Sequence, residues 1–132
     1  MIAFVDTSAF LAVLDQDDRH HTQASRKWSA LIEGGATLVC TSYVLCEIVA
    51  LLQHRLGMDA VRVFHDDIMP LLAVEWVSAE LHRVGVAGVL AARRRDLSLV
   101  DCVSFEVMRH QGIQAAFAFD KHFREQGFVD VS

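Results

Sequence analysis

Short apolar runs alternate along the chain with longer amphipathic stretches, which is the pattern of an α/β domain. Residues 2–5 (Ile-Ala-Phe-Val) suit a buried strand, and residues 8–14 follow as a helix. Residues 22–32 carry apolar positions at helical spacing and close at Gly34-Gly35. Residues 37–41 are β-prone. Ser42 is placed to cap a helix that runs to about Leu56 and stops at Gly57. The spacing predicts helix over 59–69, ending at Pro70, and a strand over 72–77 that includes Trp76. Ser78 is a candidate cap for residues 79–95, a segment rich in alanine and arginine and weakened as a helix by Gly85 and Gly88. Ser98 caps a helix running to His110, with Gly112 beyond its end. Residues 115–119 read as a strand and 128–131 as a short edge strand. Helices rather than hairpin turns separate most strands, so the sheet should be mainly parallel. Such sheets bind ligands beyond the carboxyl ends of their strands.

Composition narrows this picture. A chain of 132 residues, 53 % of them hydrophobic, fits a single domain over 1–132 with material for one core. No apolar run reaches the ~20 residues of a membrane helix, and the opening Met1-Ile2-Ala3-Phe4-Val5-Asp6 lacks a basic start. A cytoplasmic protein is expected. Cys40, Cys46 and Cys102 are odd in number, lie in apolar stretches and show no C-x-x-C spacing, so buried reduced thiols are expected. Of seven histidines only His20 and His21 are adjacent, and neighbours on a helix point in different directions. The net charge of −5 argues against an ordinary nucleic-acid binder, unless some of the acids are gathered to hold metal ions.

Four acids stand where such gathering would occur. Asp6 directly follows the first strand, and Asp120 directly follows residues 115–119. Glu47 lies on the first turns of the helix after the second strand. Asp101 is three residues past Ser98, in the first turn of its helix. Two carboxylates ~4 Å apart repel by about 4 kcal/mol at an effective dielectric of about 20. Four together make up to six pairs, a repulsion comparable with a whole domain's stability of roughly 5–15 kcal/mol. Protons or a divalent cation must relieve it, and oxygen ligands suit magnesium or manganese. Each acid also has a structural reading. Asp6 and Asp120 could be helix caps, Ser98-Leu99-Val100-Asp101 fits a capping box, and Glu47 could be a solvated helix acid. Glu47 fits its structural reading least well, because it interrupts the apolar run 43–52.

These segments resemble the motifs of PIN domains. Val5-Asp6-Thr7-Ser8-Ala9-Phe10 is similar to the opening motif, and Glu47 after Thr41-Ser42-Tyr43 to the second acid. Leu97 to Phe105, with Ser98-Leu99-Val100-Asp101-Cys102 inside it, resembles the third, and Ala118-Phe119-Asp120-Lys121-His122-Phe123 the fourth. The order and spacing agree over nearly the whole chain, and compact single-domain members are mostly toxins of the VapC type. The resemblance implies a Rossmann-like three-layer α/β/α sandwich around a mainly parallel sheet. It implies magnesium- or manganese-dependent hydrolysis of RNA, a homodimer, and a cognate antitoxin. By this likeness Asp6, Glu47, Asp101 and Asp120 hold the metal and carry catalysis. Thr7 or Ser8 would orient Asp6 or help hold phosphate, and Ser98 would do the same beside Asp101. In one respect the chain departs from some relatives, which carry a further acid soon after the fourth motif. Here Lys121-His122-Phe123-Arg124 follow Asp120, which leaves open one or two ions.

Lys121, His122 and Arg124 lie close behind Asp120 and are the expected phosphate contacts. Arg93-Arg94-Arg95 serve equally well as cations at a helix end or as RNA contacts. Arg19, Arg26 and Lys27 are expected to be solvated. Trp28 and Trp76 are expected to pack, and the apolar segments 10–14 and 43–52 are candidate dimer or antitoxin surfaces. Two other functions fit the same fold: a housekeeping RNA-processing nuclease, and a catalytically silent PIN-like binding module. The presence of all four acids argues against the silent module. A receiver-type phosphoacceptor would want paired acids after the first strand, where Thr7-Ser8 stand.

Overall fold

Phe4 and Val5 on one strand, and Ala115, Ala116 and Phe117 on another, are all buried. Successive strand residues point to opposite faces, so both faces of the sheet at these strands are covered. They belong to the centre of a five-stranded, wholly parallel sheet seen in a computed structural model that describes residues 1–132. The strands are β1 (Ile2–Val5), β2 (Thr37–Thr41), β3 (Leu72–Glu75), β4 (Ala115–Phe117) and β5 (Val129–Asp130). The helices are α1 (Thr7–Leu14), α2 (His21–Glu33), α3 (Ser42–Arg55), α4 (Met58–Val63), α5 (Ala79–Ala92), α6 (Leu99–Gln111) and α7 (His122–Glu125). No helix is long and apolar enough to cross a membrane.

The strand order is β3-β2-β1-β4-β5. The chain winds outward from β1 through β2 to β3, then returns to the other side of β1 and winds outward through β4 to β5. The direction of winding therefore reverses between β1 and β4. In an open parallel sheet the crevice at that reversal, beyond the strands' carboxyl ends, is the natural binding place. The strands there are in register Ala3↔Ala115, Phe4↔Ala116 and Val5↔Phe117. Asp6 N–H extends the pairing by donating to the Phe117 carbonyl at 3.0 Å.

Aromatic side chains join the layers below this edge. Phe4, Phe10, Phe64, Phe117 and Phe123 are fully buried. Phe10 meets Phe64 edge-on at 5.2 Å between centroids and Trp28 at 6.3 Å. The segments 10–14 and 43–52 serve this core more than the surface, since Phe10, Leu11, Ala12, Val44, Leu45, Ile48 and Leu52 are buried. The exposed large apolar groups lie elsewhere and include Met58, Leu71, Trp76 and Leu90.

Several boundaries differ from the sequence reading, each for a local reason. Thr41, not Ser42, caps α3: its side chain accepts from Val44 N–H, while Ser42 Oγ accepts from Val77 N–H across the sheet end. Residues 58–71 are not one regular helix. α4 widens into a π turn at Phe64–Ile68 and closes with a 3₁₀ turn at Met69–Leu71 that contains Pro70. The third strand stops at Glu75, so Trp76 lies beyond it and is exposed. The fourth strand stops at Phe117, so Asp120 lies three residues past its end. α5 ends at Ala92, with Arg93 at φ 55 closing it. Cys40 and Cys102 are buried as expected, but Cys46 is exposed.

Gly85 and Gly88 lie within α5 and permit its close contact with α6. A Cβ on Gly85 would stand 2.5 Å from Val103 Cγ2 and 3.0 Å from Leu99 Cδ1, both on α6, and one on Gly88 would sit 3.5 Å from Cys102. This close approach seats α6, whose first turn carries Asp101. Alanine is the better helix former by ~1 kcal/mol, but overpacking a stiff, buried valine costs roughly 1–3 kcal/mol. Gly85→Ala is therefore expected to lower Tm by a few degrees in thermal denaturation. An unchanged or raised Tm would show that the helices are not held at this distance.

Candidate active site

A cavity of about 390 Å³ opens at the reversal point, lined by Asp6, Thr7, Ser8, Glu47, Asp96, Ser98, Asp101 and Asp120 with Leu11 and Leu51. All four acids expected from the sequence line it, and a fifth, Asp96, joins them.

Asp6 is the N-cap of α1. Its Oδ2 accepts from Ser8 N–H at 3.1 Å and from Ser8 O–H at 2.6 Å. Ser8 Oγ in turn accepts from Phe119 N–H at 2.9 Å, so one hydroxyl ties the end of β1 to the chain that carries Asp120. Asp101 completes a capping box: Asp101 N–H donates to Ser98 Oγ, and Ser98 N–H donates to Asp101 Oδ2, both at 3.1 Å. Asp120 Oδ1 accepts from His122 N–H at 2.9 Å. The capping reading is thus correct for Asp6 and Asp101, and it coexists with their convergence on one cavity; Asp120 stands before Lys121, the residue that opens α7, and holds His122 N–H in a local turn without capping the helix. Each carboxylate commits one oxygen to its own backbone turn. Asp6 Oδ1, Asp101 Oδ1 and Asp120 Oδ2 accept no hydrogen bond from the protein.

Glu47, one turn into α3, is half-buried and not enclosed in apolar surroundings; its neighbour Ile48 takes the core position. Thr7 is buried, and its hydroxyl has no partner within the protein. An orphaned hydroxyl beside uncommitted carboxylate oxygens is an all-oxygen donor set, which fits a hard divalent cation such as magnesium or manganese.

His122, expected at phosphate, is buried behind the acids. Its Nε2 lies 3.1 Å from Asp96 Oδ2. Its Nδ1 lies 2.6 Å from Asp120 Oδ1 and 3.8 Å from Asp101 Oδ2, contacts of charge without the alignment of a hydrogen bond. Asp101, Asp120 and His122 form the tightest group of the site, with ligand-type atoms all within 4.8 Å of one another. Burial alone would lower the imidazole's pKa, but Asp96 and Asp120 outweigh it and raise the value above the ordinary one. Of the other cations expected near the phosphate, Lys121 is exposed, and Arg124 pairs with Asp130 at 2.7 Å. In the arginine run, Arg94 is ion-paired with Asp96 and Glu125, while Arg93 and Arg95 are exposed. His20 stacks on Phe119 at 4.4 Å, and His21 Nδ1 lies 2.8 Å from the Ala12 carbonyl. Asp96 was missed because nothing before the loop 93–98 folds back distinguishes it from a surface acid.

The enclosure of the site is visible at Asp6, whose pKa is pushed up to about 7. Burial is the largest cause. The Ser8 hydrogen bonds work against it, and Asp101 and Asp120 add to it. Burial also raises Asp101, with Asp120 contributing and Ser98 opposing.

The whole arrangement defines a class: an α/β nuclease-like domain with carboxylates gathered at the reversal point of a parallel sheet. The chain belongs to the PIN domain family, which matches residues 3–129. It is 36 % identical over 129 residues to the 23S rRNA-specific endonuclease VapC20 of Mycobacterium tuberculosis, covering 97 % of this chain and 96 % of that protein. The crystal structure of that VapC20, a sarcin-ricin loop cleaving toxin, superposes with a TM-score of 0.86 at 34 % identity over 96 % of each chain. VapBC2 from Rickettsia felis, bound to a DNA fragment from its promoter, has a TM-score of 0.70 at 11 % identity over 98 % of this chain and 97 % of that one. FitAcB from Neisseria gonorrhoeae gives 0.69 at 13 % identity over 100 % and 97 %. These last two share the fold.

The raised Asp6 value has a signed consequence. A carboxyl group with a folded-state pKa of about 7 and an ordinary value of 3.8 holds its proton more tightly when folded. Its contribution to stability is fully present below 3.8 and is lost as pH rises through about 7. In chelator, the wild type should lose Tm across this window relative to Asp6→Asn, and added magnesium should remove the difference in slope. Parallel pH profiles for the two proteins in chelator would contradict the raised pKa of Asp6.

Proposed function

We propose that this chain is a divalent-metal-dependent RNA endonuclease and the toxin half of a toxin–antitoxin pair. The observation that carries the reading is the pattern at the cavity: three aspartates at strand and helix ends, each with one oxygen held by its own turn and one uncommitted. Asp6, Glu47, Asp101 and Asp120 would hold magnesium or manganese. A bound divalent ion lowers the pKa of water and stabilises charge developing on a phosphoryl group. The chain's residues orient and exclude. Ser8 and Ser98 fix the directions of Asp6 and Asp101. Thr7 lines the cavity and keeps a buried hydroxyl without a partner in the protein. Leu11 and Leu51 wall one side against water. Lys121 is the nearest unpaired cation in sequence to Asp120 and is assigned to the RNA backbone.

The likeness to VapC20 along nearly its full length supports the RNA substrate and makes 23S ribosomal RNA the first to try. It also supports the toxin role and a cognate antitoxin. A homodimer working in the cytoplasm completes the proposal, and the exposed apolar groups Met58, Leu71, Trp76 and Leu90 supply surface for partners. Growth arrest on expression of the chain alone, relieved by the cognate antitoxin, is the matching cellular test. Unimpaired growth contradicts the toxin role.

The direct test is cleavage of ribosomal RNA by the purified chain. Cleavage should require magnesium or manganese and cease in excess chelator. Asp101→Asn keeps an acceptor for Ser98 N–H, so it should fold with a Tm in chelator equal to or above that of the wild type, because repulsion falls. Its cleavage should nevertheless drop by about 100-fold or more. Full cleavage in chelator, or an Asp101→Asn protein as active as the wild type, would overturn the reading.

A further inference from the structure

From the rim of the cavity, where Asp96 and Asp120 line it, a chain of ion pairs runs through Arg94 and His122, two residues that the proposed chemistry does not use. Arg94 grips Asp96 with two parallel contacts, Nε to Oδ1 at 3.1 Å and Nη2 to Oδ2 at 2.9 Å. Its remaining Nη1 reaches Glu125 Oε2 on α7 at 2.9 Å. Asp96 Oδ2 also meets His122 Nε2 at 3.1 Å, and the other face of that imidazole meets Asp120 Oδ1 at 2.6 Å. The line Arg94–Asp96–His122–Asp120 thus joins the loop leading into α6, whose first turn carries Asp101, to the segment carrying Asp120. Arg94 directly follows the left-handed residue Arg93, at which α5 ends.

We propose that Arg94 and Asp96 form a positioning clamp, acting through His122, that sets the separation and orientation of Asp101 and Asp120 for the metal ion. The proposal rests on the metal reading of the cavity. Three features carry it. The imidazole is buried between carboxylates on both sides, so its position fixes both. The contacts occupy Asp120 Oδ1 and leave Oδ2 uncommitted, which orients the carboxylate. Arg94 and Asp96 are substantially exposed, at 39 % and 52 % of their side-chain area, and pairs so exposed add little to folding stability. Their geometry acts on the site more than on the fold. Partners one layer behind metal ligands typically change affinity by about 10- to 100-fold when removed.

Calorimetric titration of manganese into the wild type, Asp96→Asn and Arg94→Gln tests this, with Tm measured in chelator beside it. Both variants should melt within about 3 °C of the wild type. Both should bind manganese about tenfold or more weakly. Arg94→Gln is the discriminating variant. Removing a cation beside a cation site should by charge alone tighten binding, and freeing Asp96 to act as a direct ligand would tighten it further. Only a loss of geometry weakens it. Unchanged or tighter binding in Arg94→Gln overturns the clamp, whatever Asp96→Asn shows. A wild-type protein that binds no manganese removes the metal reading itself, and the clamp with it.

Discussion

Like charges forced together at the carboxyl ends of the two central strands set the terms for the rest of this molecule. Asp6 and Asp101 are 4 % and 8 % exposed, and Asp120 stands beside them, so water relieves little of their repulsion. Asp101 and Asp120 bring carboxylate oxygens within 4.8 Å of one another, where two charges repel by about 3 kcal/mol at an effective dielectric of about 20. That cost is of the same order as a domain's net stability. The fold offsets it locally. Ser8, Ser98 and His122 N–H groups or hydroxyls each give a carboxylate one set of donors, and His122 places a basic ring behind two of them. What remains uncompensated is the second oxygen of each carboxylate.

Capping and the convergence of the acids are therefore one device at Asp6 and Asp101. A capping aspartate is held by the turn it closes, and the partial positive charge at the start of α1 and α6 favours its ionised form. The same hydrogen bonds fix where its second oxygen points. Ser8 extends this logic across the sheet, since its hydroxyl serves Asp6 on one side and the backbone before Asp120 on the other. Remote packing matters for the same reason. The close seat of α5 on α6 at Gly85 holds the helix whose first turn delivers Asp101.

Much of this was legible in the sequence. Short apolar runs marked β1 and β2, and the helices that separate the strands marked the sheet's parallel character. The four acids stood out because each follows a strand or opens a helix. Less legible was whatever depends on partners distant in the chain. Thr41 and Ser42 are both good caps, and only the approach of Val77 decides that Ser42 looks across the sheet. Residues 115–119 read as one strand because their side chains suit it, yet pairing stops at Phe117, where Phe119 N–H turns to Ser8. Glu47 seemed enclosed by its apolar neighbours, but the helix turns it half out to the cavity while Ile48 takes the core position. His122 and Asp96 meet across a separation of 26 residues that holds α6 and β4, so neither the burial of the histidine nor the fifth acid had a local signature.

The central claim is that these carboxylates form one cation site, and crystallography with an anomalous scatterer tests it most directly. Crystals grown in chelator and then soaked in manganese should show an anomalous peak bounded by Asp6, Glu47, Asp101 and Asp120, with Asp6 Oδ1, Asp101 Oδ1 and Asp120 Oδ2 turned toward it. A cavity without a peak at saturating manganese, or a peak held by other residues, would contradict the account.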